Sequence, residues 1–180
     1  MSSDQGCVIW LSGISGAGKS TIAEAIAFTL KEHDKSVFAI DGDVLRSGLS
    51  SDLSFTAADR IENMRRAAEV AQMASACGLV TVVSLISPSS AGRKMVRELI
   101  RHGRFAQVYV KTPIEVAESR DVKGLYKKAR AGLIANFTGI GSEYEIPADS
   151  EIVIDTTIVE PMTAAQAIIR YLIAKNWIVL

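Results

Sequence analysis

Eight consecutive residues carry the strongest chemical signal in the chain. Gly13-Ile14-Ser15-Gly16-Ala17-Gly18-Lys19-Ser20 reads G-x-x-x-x-G-K-S. Glycines at these positions let successive backbone N–H groups turn inward around a polyphosphate, and a helix beginning at Thr21 aims its positive dipole end at the same anion. Lys19 is placed to reach the terminal phosphates, and Ser20 to offer its hydroxyl to Mg²⁺. A plain glycine-rich turn would leave the Gly-Lys-Ser ending unexplained. The loop therefore predicts a nucleoside triphosphate held by residues 13 to 21, and poses the question of what receives its phosphate.

Four further stretches bear on that question. Asp41-Gly42-Asp43-Val44-Leu45-Arg46 follows an apolar run, where ligands collect outside the carboxyl end of a strand. Two carboxylates around a glycine fit a turn with a helix N-cap. After a strand beside a phosphate loop, such a carboxylate can also reach an attacking hydroxyl or a metal, and Asp43, past the turn, is the better candidate base. Arg60 and Asn63 are three apart on one helix face near its positive end, which suits an anionic ligand, whereas Glu62 and Arg66 read as a solvated pair at four-residue spacing. Ser87-Pro88 ends a β-branched run at the same sheet edge. Residues 122–130 concentrate cations, and Asn136-Phe137-Thr138-Gly139-Ile140-Gly141 is glycine-rich, so residues 121–146 read as a mobile lid over phosphates.

Positioning these groups requires strands that all end on one side. Short apolar runs at Val8–Leu11, Val37–Ile40, Val80–Ile86, Gln107–Val110 and Glu151–Thr156 read as strands. Helical patterns lie between them: from Thr21 to the polar turn at Lys31–Asp34, from Thr56 with its capping-box variant Thr56-Ala57-Ala58-Asp59, from Ala91 to Arg101, and after Pro113. A last helix runs from Pro161 to Ala174. Alternation of this kind predicts an α/β fold, a three-layer sandwich around a five-stranded parallel sheet, as one unit over residues 1–180. His33 and His102 fall near helix ends and read as structural.

Composition removes several function classes. The chain has 180 residues, and its 20 basic and 20 acidic side chains cancel, so whole-molecule attraction to nucleic acid or an anionic membrane is not expected. Beyond the lid no basic stripe is interleaved with aromatics, and no stretch is apolar enough for a membrane span. Met1-Ser2-Ser3-Asp4-Gln5 lacks the basic region of a signal peptide. Cys7 and Cys77 have no metal spacing and read as small buried hydrophobes in a reducing, cytoplasmic setting, and the terminal Trp177-Ile178-Val179-Leu180 as a segment docked on the body.

Taken jointly, SGISGAGKST, DGDVLRSGL at 41–49, DLSFTAADRIENMRRAAEVA at 52–71, SLISP at 84–88, RDVKGLYKKARAG from 120 and NFTGI at 136–140 resemble the adenylyl-sulfate kinases. The resemblance runs from about Val8 to Thr156 and implies a P-loop kinase fold, ATP and Mg²⁺, phosphorylation of the 3′-hydroxyl of adenosine 5′-phosphosulfate, and a homodimer. It places ATP at Gly13, Gly16, Ala17, Gly18, Lys19, Ser20 and Thr21, with Ser20 assisting Mg²⁺. It places the adenylyl sulfate at Asp43, Arg46, Phe55, Arg60, Asn63, Ile86, Ser87, Lys123, Asn136 and Phe137. Phe55 and Phe137, each in a Gly/Ser-rich setting where a buried core aromatic is not expected, would hold an adenine between two ring faces. Ser87 is expected as a ligand, not a nucleophile. The chain departs from the family pattern at Ser54, at Ser89-Ser90-Ala91-Gly92-Arg93 and at Gly141-Ser142-Glu143-Tyr144, which border the acceptor pocket and the lid. A related kinase for another nucleotide, or a nucleotide-binding regulatory subunit, would share many of these parts.

Overall fold

The computed structural model describes residues 6–101 and 103–180, so the readings of Met1–Gln5 and His102 fall outside it. Its strands are β1 (Cys7–Ser12), β2 (Val37–Asp41), β3 (Val80–Ser84), β4 (Phe105–Lys111) and β5 (Ile152–Asp155). They form one parallel sheet in the order β2-β3-β1-β4-β5. The helices are α1 (Lys19–Lys31), α2 (Gly42–Ser47), α3 (Ala57–Ala76), α4 (Ser90–Leu99), α5 (Ile114–Arg120), α6 (Leu125–Arg130) and α7 (Pro161–Ala174).

The two-residue repeat of β1 builds both inner layers. Ile9 and Leu11 point to the side covered by α1 and α7, where Ile22, Ile26, Leu30, Ile168 and Leu172 complete one core. Val8 and Trp10 point to the side covered by α3 and α4, where Met64, Ala67, Ala71 and Val96 complete another. Burial on both faces explains why β1 reads as a continuous apolar run, with no alternation. The three predicted layers are therefore present.

Local signals worked where they were spelled out over a few residues. Thr56 caps α3 by accepting from Asp59 N at 3.1 Å, and Glu62 pairs with Arg66 at 2.9 Å. His33 is exposed just past α1, and Ile178 is buried while Trp177 meets Tyr171 edge-on. The helix N-cap read in the Asp41–Arg46 stretch is Asp41, which accepts from Asp43 N at 2.9 Å and starts α2. Three expectations need correction. β3 ends at Ser84, where the chain leaves the ladder and Ile86 O accepts from Gly13 N. The lid contains a helix, α6, opened by Gly124 in a left-handed conformation. Cys77 is exposed and only Cys7 is buried, its thiol pushed up to about 12 by loss of hydration.

Candidate active site

A cavity of about 820 Å³ opens at the carboxyl ends of β1, β2 and β3. Most of the candidate residues line it: Gly16, Gly18, Lys19, Ser20 and Thr21 from the loop and the start of α1, Asp43 and Arg46 from α2, and Arg60 and Asn63 from α3. Phe55, Ile86, Ser87, Lys123 and Phe137 join them from the connecting segments. Gly13, Ala17 and Asn136 do not line it. A second, open depression of about 690 Å³ behind the lid, bordered by Tyr109, Ile140 and Tyr144, holds none of the candidate residues.

The glycine loop is shaped by packing. A side chain at Gly13 would put its Cβ 2.5 Å from Val110 O, and Gly18 turns into α1 at φ 96°. Lys19 Nζ donates to Gly13 O and Ile14 O, both at 2.8 Å, which holds the ammonium against its own loop. Burial lowers the Lys19 pKa to about 8, repulsion from Lys123 adds to the shift, and Asp41 and Asp43 oppose it.

The two carboxylates have different partners. Asp41 accepts from Ser20 Oγ at 2.8 Å through one oxygen and caps α2 with the other, so both are engaged. Asp43 is exposed toward the cavity and pairs with Lys123 from the lid. A serine hydroxyl beside a carboxylate is a hard oxygen set that fits Mg²⁺. Among the described residues no group of three or more His, Cys, Asp or Glu could hold a metal alone. An ion here must take further oxygens from phosphate and water, as Mg²⁺ commonly does.

On the far side two arginines flank one ring. The Arg46 guanidinium lies 4.2 Å from the Phe55 ring centroid and that of Arg60 lies 5.8 Å away. Arg46 donates to Ser54 O at 2.9 Å. Arg60 donates to Phe55 O, Thr138 Oγ1 and Asn136 O. The expected pair of open aromatics is only half present. Phe55 is 52% exposed at the rim, but Phe137 is 8% exposed and meets Tyr126 edge-on at 4.9 Å, so it is a core residue with one side in the cavity wall. Its glycine-rich neighbours gave no hint of that, because the partner ring comes from α6.

Ser87 is buried at φ 51°, a left-handed conformation that a residue before proline rarely takes. Trp10 Nε1 donates to its hydroxyl at 2.9 Å and Arg93 donates to its carbonyl at 2.8 Å. A hydroxyl engaged in this way, with no hydrogen bond to a base among the described residues, is not an activated nucleophile. The two departing segments also meet, since the Arg93 guanidinium lies 5.9 Å from the Tyr144 ring and Glu145 Oε2 accepts from Ser90 N at 2.7 Å.

Sequence reasoning missed several cavity residues. Arg120 at the end of α5 donates to Thr156 O at 2.7 Å and lines the cavity beside Thr156 and Glu160. Thr138 lines it from the lid. Asp41 lines it too, and like the others it is joined to its partner from a distant part of the chain.

Comparison with known proteins bears on the family and the fold. A sequence model of the family described as Adenylylsulphate kinase matches residues 5–155. The chain is 52% identical over 165 residues to an adenylyl-sulfate kinase of Pseudomonas aeruginosa, covering 92% of this chain and 84% of the relative. It superimposes with a TM-score of 0.91 and 39% identity on the Mycobacterium tuberculosis APS kinase CysC in complex with AMPPNP and APS, covering 93% of this chain and 98% of that one. The hexameric APS kinase from Thiobacillus denitrificans aligns with a TM-score of 0.74 and 30% identity, over 98% of this chain and 30% of that chain.

Proposed function

The chain belongs to the adenylylsulphate kinase family, and from that premise we propose how its residues share the reaction. It is an ATP-dependent kinase that phosphorylates the 3′-hydroxyl of adenosine 5′-phosphosulfate, giving the 3′-phosphorylated product and ADP. One observation supports the division of labour: a single cavity carries the phosphate loop and the arginine pair, with Asp43 linking them. Asp43 follows Asp41, which holds Ser20, and lies three residues before Arg46 on the same helix.

In this reading the loop amides from Gly16 to Thr21 and the start of α1 hold the ATP phosphates. Lys19 leaves its carbonyl partners for the phosphates, where its charge opposes the negative charge gathered at the transferring group. Mg²⁺ is assigned to the Ser20 hydroxyl with Asp41 behind it, and when bound it neutralises charge on the phosphate oxygens. Arg46 and Arg60 take the anionic end of the acceptor, while Phe55 and the exposed side of Phe137 take its base. Asp43 orients the 3′-hydroxyl and accepts its proton as the oxygen attacks the γ-phosphorus. Asp43 must then exchange its contact with Lys123 for one with the acceptor, which frees the lysine for an anion.

The lid is assigned to water exclusion. Tyr126 donates to Ser15 O at 2.8 Å, tying α6 to the phosphate loop, and Arg60 ties residues 136–138 to α3. We place the protein in the cytoplasm as a homodimer working as one kinase unit, a reading supported by family resemblance. Light scattering should give twice the chain mass; one or six times that mass would reject the dimer. Among the described residues no helix is long and apolar enough to cross a membrane.

A coupled ADP-release assay with Mg·ATP tests the acceptor. Selective turnover with adenosine 5′-phosphosulfate over AMP and cytidine nucleotides is expected. Activity with another nucleotide and none with adenosine 5′-phosphosulfate would reassign the acceptor pocket.

A further inference from the structure

Arg60 is held in the cavity wall by three hydrogen bonds. Its Nε donates to Phe55 O at 3.0 Å, one terminal nitrogen to Thr138 Oγ1 at 2.8 Å and the other to Asn136 O at 2.7 Å. A guanidinium carries five N–H groups in one plane, so three anchors fix that plane and leave two donors for a ligand. All three anchors are neutral, and among the described residues no carboxylate lies within ion-pair distance of Arg60. Its charge is therefore uncompensated by the protein where it faces the cavity. Arg60 is also partly buried beside Arg46, and both effects disfavour its charged form until an anion arrives.

The anchors differ in what sequence can change. Phe55 O and Asn136 O are backbone carbonyls, which any residue supplies. Thr138 contributes a side chain, is 1% exposed, and lies 78 residues from Arg60 in the chain. The turn around it is closely tied: Gly139 N donates to Ser142 O at 2.7 Å, and Ser142 Oγ donates to the same Asn136 carbonyl at 3.0 Å. Ser142 belongs to one of the segments that depart from the family pattern, so this chain braces the Arg60 anchor with a residue of its own.

We propose that Thr138 is a positioning residue that sets the plane of the Arg60 guanidinium and thereby makes acceptor affinity depend on a seated lid. The inference rests on the assignment of Arg60 to the acceptor. When residues 136–138 are seated, Arg60 lines the cavity with two donors that these three anchors leave unused. Without the hydroxyl of Thr138 the guanidinium is held by carbonyls alone, and one degree of side-chain freedom returns that the acceptor must remove on binding. ATP makes no contact with Arg60 in this reading, so the effect falls on one substrate.

The test is steady-state kinetics on T138V, T138S and both parent backgrounds, wild type and R60M, varying each substrate at saturating levels of the other. T138V keeps the shape and loses the hydroxyl. It should raise KM for adenosine 5′-phosphosulfate about tenfold, the scale of one charge-assisted hydrogen bond, and leave kcat and the KM for ATP within about twofold. T138S should stay within about threefold of wild type, and T138V should add less than about twofold in the R60M background. Equal losses in T138V and T138S, a matching rise in both KM values, or a full tenfold penalty on top of R60M would overturn the proposal. Thermal denaturation checks folding; if T138V does not fold, T138A takes its place in the same comparisons. Absence of wild-type turnover with adenosine 5′-phosphosulfate would reject the acceptor assignment itself, whereas normal wild-type turnover with an unaffected T138V would reject only the role of Thr138.

Discussion

The two ends of the cavity are built by different means. The end assigned to the phosphates comes from one unbroken segment, Gly13 to Thr21, whose backbone supplies the donors in that assignment and whose glycines are fixed by contacts such as Gly13 against Val110 O. The end assigned to the acceptor is assembled from α2, the loop before α3, α3 itself, the Ser87 turn and the lid, and its geometry is carried by side chains. Local construction makes the first end recognisable from a few letters and insensitive to distant change. Distributed construction lets the second be tuned by substitutions that never touch the ligand.

Of the changes confined to one end of the cavity, the larger effect lies in Lys19. Lys19→Met should lower kcat/KM for ATP by about a hundredfold or more, with little change in unfolding midpoint, since the side chain serves the phosphates and not the core. The wild-type lysine also sets a pH dependence. With its pKa at about 8, the ammonium is already charged below that pH and ATP affinity should be flat. Above it ATP can bind only with uptake of a proton, so affinity should fall about tenfold per pH unit. Calorimetry at fixed free Mg²⁺ measures this, and the slope should vanish in Lys19→Met. A flat wild-type profile to pH 9.5 would mean that the loop does not depress this lysine.

A smaller effect probes the other end. Trp10→Phe removes the donor to Ser87 Oγ and some buried volume, so it should cost about 2 kcal/mol in denaturant unfolding. Its kinetic signature should be a raised KM for the acceptor with the KM for ATP unchanged. Equal changes in both would show that the two ends are not mechanically separate.

The same contrast explains what was legible. The strands and α1, α3 and α7 are long or apolar enough to repeat a period, and Thr56 and Asp59 spell a cap within four residues. α2 has six residues and α6 has six, too few for a period to declare itself. Most candidate residues were placed in the cavity, but Phe137 was misjudged because its packing depends on Tyr126, and Arg120 and Thr156 gave no signal because they meet only in the folded chain. Motif resemblance supplied the acceptor, as no spacing rule reaches across five segments. The left-handed Ser87 shows the reverse case, where the local rule fails at a turn that Trp10 and Arg93 hold by hydrogen bonds from distant parts of the chain or from the next helix.

The central claim is that Asp43 does the proton chemistry where the two ends meet. Asp43→Asn keeps the shape and removes the base. Turnover measured by ADP release, alongside equilibrium binding of ATP and of adenosine 5′-phosphosulfate to the same preparation, tests it directly. The account predicts a loss of kcat of about a thousandfold, in the range for general-base removal, with both affinities within about threefold of wild type. Near-normal turnover in a folded Asp43→Asn enzyme would contradict it and return the base to another group.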